Sequence, residues 1–238
     1  MAAGTVLIAT RGSALALAQA RATLEQCRKA FPNREFELKI IKTTGDKLQT
    51  ASLASADLPK GLFTKELELA LLNGEAGLAV HSLKDLPTDL PQGLTLGAVS
   101  KREDARDVLI ARESTRLMDL PQGATVATSS TRREAFLRER RSDLKIVPIR
   151  GNVPTRLKRL AEKPELDALV LAAAGLIRLG YDFQKINAVP LSFEEMLPCV
   201  GQAAIGIEIR ADDAQMAHMC EKLNDPVTFA CVTAERAF

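Results

Sequence analysis

The feature that most restricts this chain is a rhythm of short β-like runs alternating with helical runs. "TVLIAT", from Thr5, reads as a strand. "SALALAQARATLEQCRKAF" follows as a helix, with Ser13 as its N-cap and Leu17, Leu24, Cys27 and Phe31 on one face. "FELKIIK" alternates apolar and polar residues as a half-buried strand does, and "LFTKELELALLNG" is helical up to the stop signal Asn73-Gly74. "GLAVHS", "TVATSS", "LKIVPIR" and "DALVLAAAG" read as further strands, separated by the helical runs "TRREAFLRERR" and "VPTRLKRLAE". This βαβα alternation predicts an α/β protein with largely parallel sheets.

The chain has 238 residues, enough for one large domain or two of ordinary size. "REDARDVLI", after Lys101, looks like a strand behind a linker and places a boundary near residue 100. The segment Gly45–Lys60, "GDKLQTASLASADLPK", has no periodicity and reads as a mobile flap. No apolar run approaches the roughly 20 residues of a membrane helix, and the N-terminus lacks a signal-peptide pattern. Cys27, Cys199, Cys220 and Cys231 are scattered without CxxC spacing, so free thiols in a cytoplasmic protein are expected and a zinc site is not.

Net charge is only +2, yet Arg132–Arg159 holds ten Lys/Arg against Glu134, Glu139 and Asp143. Most of these read as a solvated helix face. The informative residues are four polar clusters at predicted strand ends: Arg11-Gly12-Ser13, Ser82-Leu83-Lys84-Asp85, Thr128-Ser129-Ser130-Thr131-Arg132-Arg133 and Arg150-Gly151-Asn152. Ligands bind at the carboxyl ends of parallel strands. Three of the clusters lead into helices, at Ser13, Thr131 and Asn152, whose free N–H groups suit carboxylates or phosphates. Each has a plainer reading as a turn or cap, and Thr131-x-x-Glu134 alone is a capping box. Arg150 at the end of a buried strand calls for an anionic partner. On an extended backbone Lys84 and Asp85 point to opposite sides, so each needs a partner other than its neighbour. His81 points away from Ser82 and reads as structural.

"IATRGSALALAQA", "KGLFTKELE", "AVHSLKDLP", "REDARDVL", "TSSTRRE", "IRGNVPTRLKRL", "GLIRLG" and "VTAERAF" together resemble the porphobilinogen deaminase (hydroxymethylbilane synthase) family, collinearly from about Leu7 to Phe238. The resemblance implies two α/β domains like type II periplasmic binding proteins, at 1–100 plus 200–223 and at 101–199, with 224–238 as the first helix of a truncated third α+β domain. It implies polymerisation of four porphobilinogen units, with loss of ammonia, into hydroxymethylbilane, in porphyrin and haem biosynthesis. Growth starts on a dipyrromethane cofactor. Asp85 matches the catalytic aspartate, set against the cationic intermediate. Arg11, Ser13, Ser82, Lys84, Thr128, Ser129, Ser130, Arg132, Arg133, Arg150, Asn152, Arg156, Arg178 and Gln202 match cofactor- or substrate-binding positions, and Lys60 and Phe63 would edge the cleft beneath the flap. Arg133 and Arg150 are expected to grip ligand carboxylates rather than to support the fold. The expected partners are porphobilinogen and the growing oligopyrrole; a monomer with no nucleic acid and no membrane is implied.

Two departures stand out. The family reads GQGA where this chain has Gly201-Gln202-Ala203-Ala204, and Ala203 adds a methyl where glycine permits close backbone approach. The family also carries its cofactor on a cysteine beyond "TAERAF", and none of the four cysteines here occupies that position. A truncated chain is the expectation, with Val227, Phe229, Val232 and Phe238 exposing apolar surface. The alternative is a non-catalytic binding module for a polycarboxylate. A nucleic-acid binder is disfavoured by an aromatic fraction of 4% and the absence of Trp.

Overall fold

The computed structural model describes residues 4–45 and 63–238. Lys60, and the predicted flap apart from Gly45, lie outside the described residues. The chain forms two compact units, Met1–Glu103 with Val200–Phe238, and Asp104–Cys199.

The first unit is built from β1 (Val6–Arg11), α1 (Ala14–Ala30), β2 (Phe36–Ile41), α2 (Lys65–Leu72), β3 (Leu78–Ser82) and β4 (Leu94–Val99). It is completed by β10 (Ile205–Arg210), α6 (Ala214–Leu223) and α7 (Pro226–Ala237). Its sheet runs β2-β1-β3-β10-β4. β1 pairs in parallel with β2 and β3, whereas β10 lies antiparallel to both β3 and β4. One face packs Ile8, Leu24, Cys27, Leu78, Val80, Ile207 and Met219, under α1 and α6. The other packs Ala9, Leu67, Leu71, Ala79 and Leu94, under α2. A side chain at Gly97 of β4 would strike Cys220 and Ile209, so glycine lets α6 sit close to the sheet.

The second unit repeats the plan. It holds β5 (Asp107–Ala111), β6 (Thr125–Ala127), α3 (Thr131–Arg140), β7 (Lys145–Val147), α4 (Val153–Glu162), β8 (Ala168–Ala172), α5 (Ala173–Arg178) and β9 (Ala188–Pro190), with sheet order β7-β6-β8-β5-β9. Again three parallel strands lie together, and the strand beside them, here β5, runs antiparallel. "DALVLAAAG" therefore splits: the strand stops at Ala172 and α5 begins at once.

Helix starts follow local chemistry. Ser13 Oγ accepts from Ala16 N–H at 3.3 Å, and Asn152 Oδ1 accepts from Thr155 N–H at 3.0 Å with Pro154 in the first turn. The cap of α3 is Ser130, not Thr131: its Oγ accepts from Arg133 N–H. The backbone of Thr131 is already helical, and Glu134 instead pairs with Arg138.

α7 lies within the first unit. Val227 and Phe238 are exposed as expected, but Val232 is fully buried with Leu83, Leu86, Val99 and Ala204, and Phe229 packs partly against them. The expectation of an exposed Val232 is corrected: its side chain covers the start of the turn after β3.

Candidate active site

In each unit the parallel strands set polar loops side by side at their carboxyl ends. In the first, β1 delivers Arg11-Gly12-Ser13 next to the Ser82–Asp85 segment that follows β3. A small open cleft is lined there by Arg11, Ser13, Gln19, Phe63, Thr64, His81, Ser82 and Asp85. The Arg11 guanidinium lies 4.2 Å from the centre of the Phe63 ring, which makes a cation–π wall. Ser82 Oγ sits 3.0 Å from Gln19 Nε2 and 3.1 Å from Gln19 Oε1. Gln19, buried on α1, belongs to this site and was not singled out from sequence. The available signal was a polar side chain on an otherwise apolar helix face.

Leu83–Asp85 forms a 3-10 turn rather than extended strand, so the geometric premise for Lys84 and Asp85 is corrected. Successive side chains in such a turn diverge by about 120°. Asp85 faces the cleft, whereas Lys84 Nζ donates to Gln202 Oε1 at 3.4 Å. The turn is stapled by buried Leu83 and Leu86 on either side of the exposed Asp85. No described residue hydrogen-bonds or pairs with the Asp85 carboxylate.

Gln202 is fully buried in a loop braced by α7. Arg102 donates through Nε to Gln202 O at 2.9 Å and forms an ion pair with Glu235, which also accepts from Gly201 N–H at 2.8 Å. Burial opposes the charge on Glu235, but Arg102 and the Gly201 N–H outweigh it and hold its carboxyl below the usual range. Ala203 in this loop has φ 71, the left-handed region that disfavours side chains.

In the second unit, β7, β6 and β8 bring Ile149–Asn152, Thr128–Ser130 and the start of α5 to one edge. Ser129 Oγ donates to Ile149 O at 2.9 Å and accepts from Ile149 N–H at 3.0 Å, so it ties two strand ends together. Thr128 Oγ1 accepts from Ser130 N–H at 3.1 Å. Arg156 donates to Gly151 O at 2.7 Å, and Arg178 is half-buried at the end of α5. Arg150 is exposed, so no desolvation demand falls on it, and among the described residues nothing pairs with its guanidinium.

Arg132 and Arg133 differ from the expectation. Both pair with Asp107, which is fully buried at the start of β5, at 2.7 Å each. Arg133 also donates to Val170 O at 2.9 Å, and Arg132 to Leu197 O. Burial raises the Asp107 pKa, but Arg133 and then Arg132 override it, and the net shift is downward. Arg133 thus supports the fold, and the expectation that it does not is corrected. The Nε atoms of both arginines remain buried with no partner among the described residues. Orphaned charged donors of this kind fit a ligand that brings carboxylates.

Of the thiols, Cys27 and Cys220 are buried, and desolvation pushes them up to about 11 and about 12, with Cys27 adding to the shift on Cys220. Neither is a nucleophile at neutral pH. Among the described residues no His/Cys/Asp/Glu group could hold a metal ion, and no helix is long and apolar enough to cross a membrane.

The chain is similar to known proteins over most of its length. Residues 6–218 match the family model "Porphobilinogen deaminase, dipyromethane cofactor binding domain". The chain is 52% identical over 231 residues to porphobilinogen deaminase of Desulforudis audaxviator (97% of this chain, 74% of that protein). It is 49% identical over 233 residues to that of Moorella thermoacetica (98% and 73%). Among solved structures, the VFT2 domain of Bordetella pertussis BvgS has a TM-score of 0.55 at 15% identity, covering 98% of this chain and 92% of that one. The methionine binding protein MetQ has a TM-score of 0.55 at 12% identity, covering 98% and 95%. At such identities these two speak for the fold alone, that of type II periplasmic binding proteins.

Proposed function

We propose that this chain, which belongs to the porphobilinogen deaminase family of transferases in porphyrin biosynthesis, joins porphobilinogen units head to tail, with loss of ammonia, towards the linear tetrapyrrole hydroxymethylbilane. The observation that carries the reading is Asp85: a carboxylate fixed on a 3-10 turn, aimed into a cleft beside Arg11, with no partner among the described residues. Departure of ammonia leaves an azafulvenium cation. A charged group already in place stabilises that cation without reorganising at the moment of reaction.

The donor set suits substrates that carry an acetate and a propionate on every ring. In the first unit Arg11, Ser13 and Lys84 offer cations and a helix N-terminus; in the second, the Nε–H groups of Arg132 and Arg133, the Arg150 guanidinium and Arg156 do so. In the first unit, Arg11, Ser13 and Lys84 would hold dipyrromethane through its carboxylates, with Gln202 positioning Lys84. Bound dipyrromethane supplies the nucleophilic pyrrole carbon from which growth begins.

Incubation with porphobilinogen tests the reading. Ammonia release together with a tetrapyrrole is the expected result. Saturable binding without ammonia would replace the enzyme by a polycarboxylate-binding module.

A further inference from the structure

The face of the first sheet that meets α2 carries a group of buried polar atoms that the mechanism above does not use. His81 on β3 and Glu208 on β10 approach across paired strands, Nε2 to Oε2 at 3.0 Å, with side chains 3% and 0% exposed. Glu68 reaches the same face from α2 and is also buried. Burial holds the Glu68 carboxyl above its ordinary value, and Glu208 adds to that shift. Beyond that contact, Glu208 Oε1 is buried with no partner among the described residues, and Glu68 Oε1 is buried beside Thr64 Oγ1, whose hydroxyl opposes the upward shift of Glu68. Such a concentration of buried polar groups is costly and is found where protons or ligands are handled. This cluster is not sealed off from the site, because His81 and Thr64 line the cleft that holds Asp85.

The chemistry of the pair fixes a tautomer. At 3.0 Å one hydrogen lies between the two groups, and where the imidazole supplies it that hydrogen sits on Nε2. That leaves Nδ1, on the other edge of the ring, as the acceptor of a residue that lines the cleft. A carboxylate that orients an imidazole in this way makes the imidazole a general base. The charged groups around the ring are Glu208 from β10, Glu68 from α2, and Arg11 from β1 and Asp85 from the turn after β3 along the same cleft, with Arg236 of α7 in electrostatic reach of Glu208 and Glu66 in reach of Glu68.

We propose that His81, held in this tautomer by Glu208, is a second proton-handling group in the cleft and accepts the proton that each coupling releases. The inference rests on the function proposed above. In that reaction the substrate's carbon–nitrogen bond breaks with its electron pair on nitrogen, giving ammonia. A carbon–carbon bond then forms with a pair from the accepting pyrrole's α-carbon. The carbon–hydrogen bond at that carbon breaks last, its pair restores the aromatic ring, and its proton needs an acceptor. Asp85 stabilises a cation only while it stays charged. A separate acceptor lets it remain so throughout, and His81 Nδ1 is that acceptor.

The test uses the uniformly 15N-labelled chain, in which exposed His218 is the internal control. The expected resting spectrum shows His81 with hydrogen on Nε2, and Glu208→Gln loses that fixed tautomer. Porphobilinogen should shift His81 Nδ1 and leave His218 unmoved. His81→Gln, which keeps a donor for Glu208, should lower kcat about a hundredfold with KM little changed and flatten the acid limb of the pH profile. A proton on Nδ1 in the resting state would overturn the proposal. So would porphobilinogen binding, seen at the Arg11 and Ser13 amides, without a shift at His81, or a His81→Gln effect confined to KM. An intact Nε2–H tautomer with no porphobilinogen binding at all would instead overturn the functional reading on which the proposal depends.

Discussion

Asp85→Asn keeps the size of the side chain and removes its charge. Because Asp85 is exposed on a turn anchored by Leu83 and Leu86, the fold should be unaffected. Turnover should fall by at least about a hundredfold, or roughly 3 kcal/mol of transition-state stabilisation. Ammonia release near the wild-type rate would remove Asp85 from the chemistry. Arg133→Leu belongs to a different class. It leaves the buried Asp107 with Arg132 alone, and loss of one partner from a buried ion pair costs about 3–5 kcal/mol. The sign with pH follows from the lowered Asp107 pKa. Stabilisation by the pair is complete above the unfolded value of about 3.9 and is lost as pH falls through the lower folded value. Urea unfolding should therefore show a large deficit for the variant at neutral pH that shrinks in acid; an equal deficit at both would mean that Asp107 is not its origin. Ala203→Gly acts in the opposite direction. A non-glycine residue at φ 71 costs about 1–2 kcal/mol, partly offset by glycine's greater freedom in the unfolded chain. A net gain of about 0.5–1 kcal/mol is expected, and an unchanged urea midpoint would show that the loop around Gln202 bears no strain.

At the scale of elements, α7 gives the sharpest case. Val232→Ala removes two buried methyl equivalents from the cluster of Leu83, Leu86, Val99 and Ala204, at about 0.8 kcal/mol each before any cavity contribution. A loss of about 2 kcal/mol is expected by urea unfolding, whereas a frayed terminal helix would show none. The rhythm of strands and helices was legible because successive parallel strands need helical crossovers and because Ser13, Asn152 and Asp225 are strong caps. The strand-end clusters were legible for the same reason: polar residues directly after an apolar run have few places to lie. Partnerships across the fold were not. Asp107 reads as the first residue of an apolar strand, and nothing local marks it as the anchor of two arginines 25 and 26 positions onward. Gln19 reads as one helix residue among many, and His81 as structural, until α1, β3 and β10 are assembled. Ser129 and Ser130 read from the sequence as binding residues, whereas in the structure one of them bridges strand ends and the other caps α3.

At the scale of the molecule, each sheet has the same plan, but the chain supplies its antiparallel strand differently. In the second unit β5 comes first and all five strands lie within Asp104–Cys199. In the first unit β10 arrives only after the whole second unit has been traversed, and it lies between β3 and β4. β10 is also the sole pairing partner of β4 among the described residues. Residues 104–199 expressed alone should therefore fold, because sheet, covering helices and the Asp107–Arg133 pair are all internal to them. A segment ending at Glu103 should not. It would lack β10, leaving the inner edge of β3 open and β4 detached, and it would lose Ile205, Ile207, Ile209, Met216 and Met219 from the core under α1. It would also leave His81 without Glu208. Far-UV circular dichroism with urea titration should show a single cooperative transition for 104–199 and a broad, non-cooperative one for 1–103. Adding 200–238 to 1–103 through a short Gly/Ser linker should restore cooperativity, since loop closure is cheap compared with the core regained. Cooperative unfolding of 1–103 alone would show that β10 completes a unit already formed, and failure of the joined segments to fold would mean that the first unit requires the second as a template.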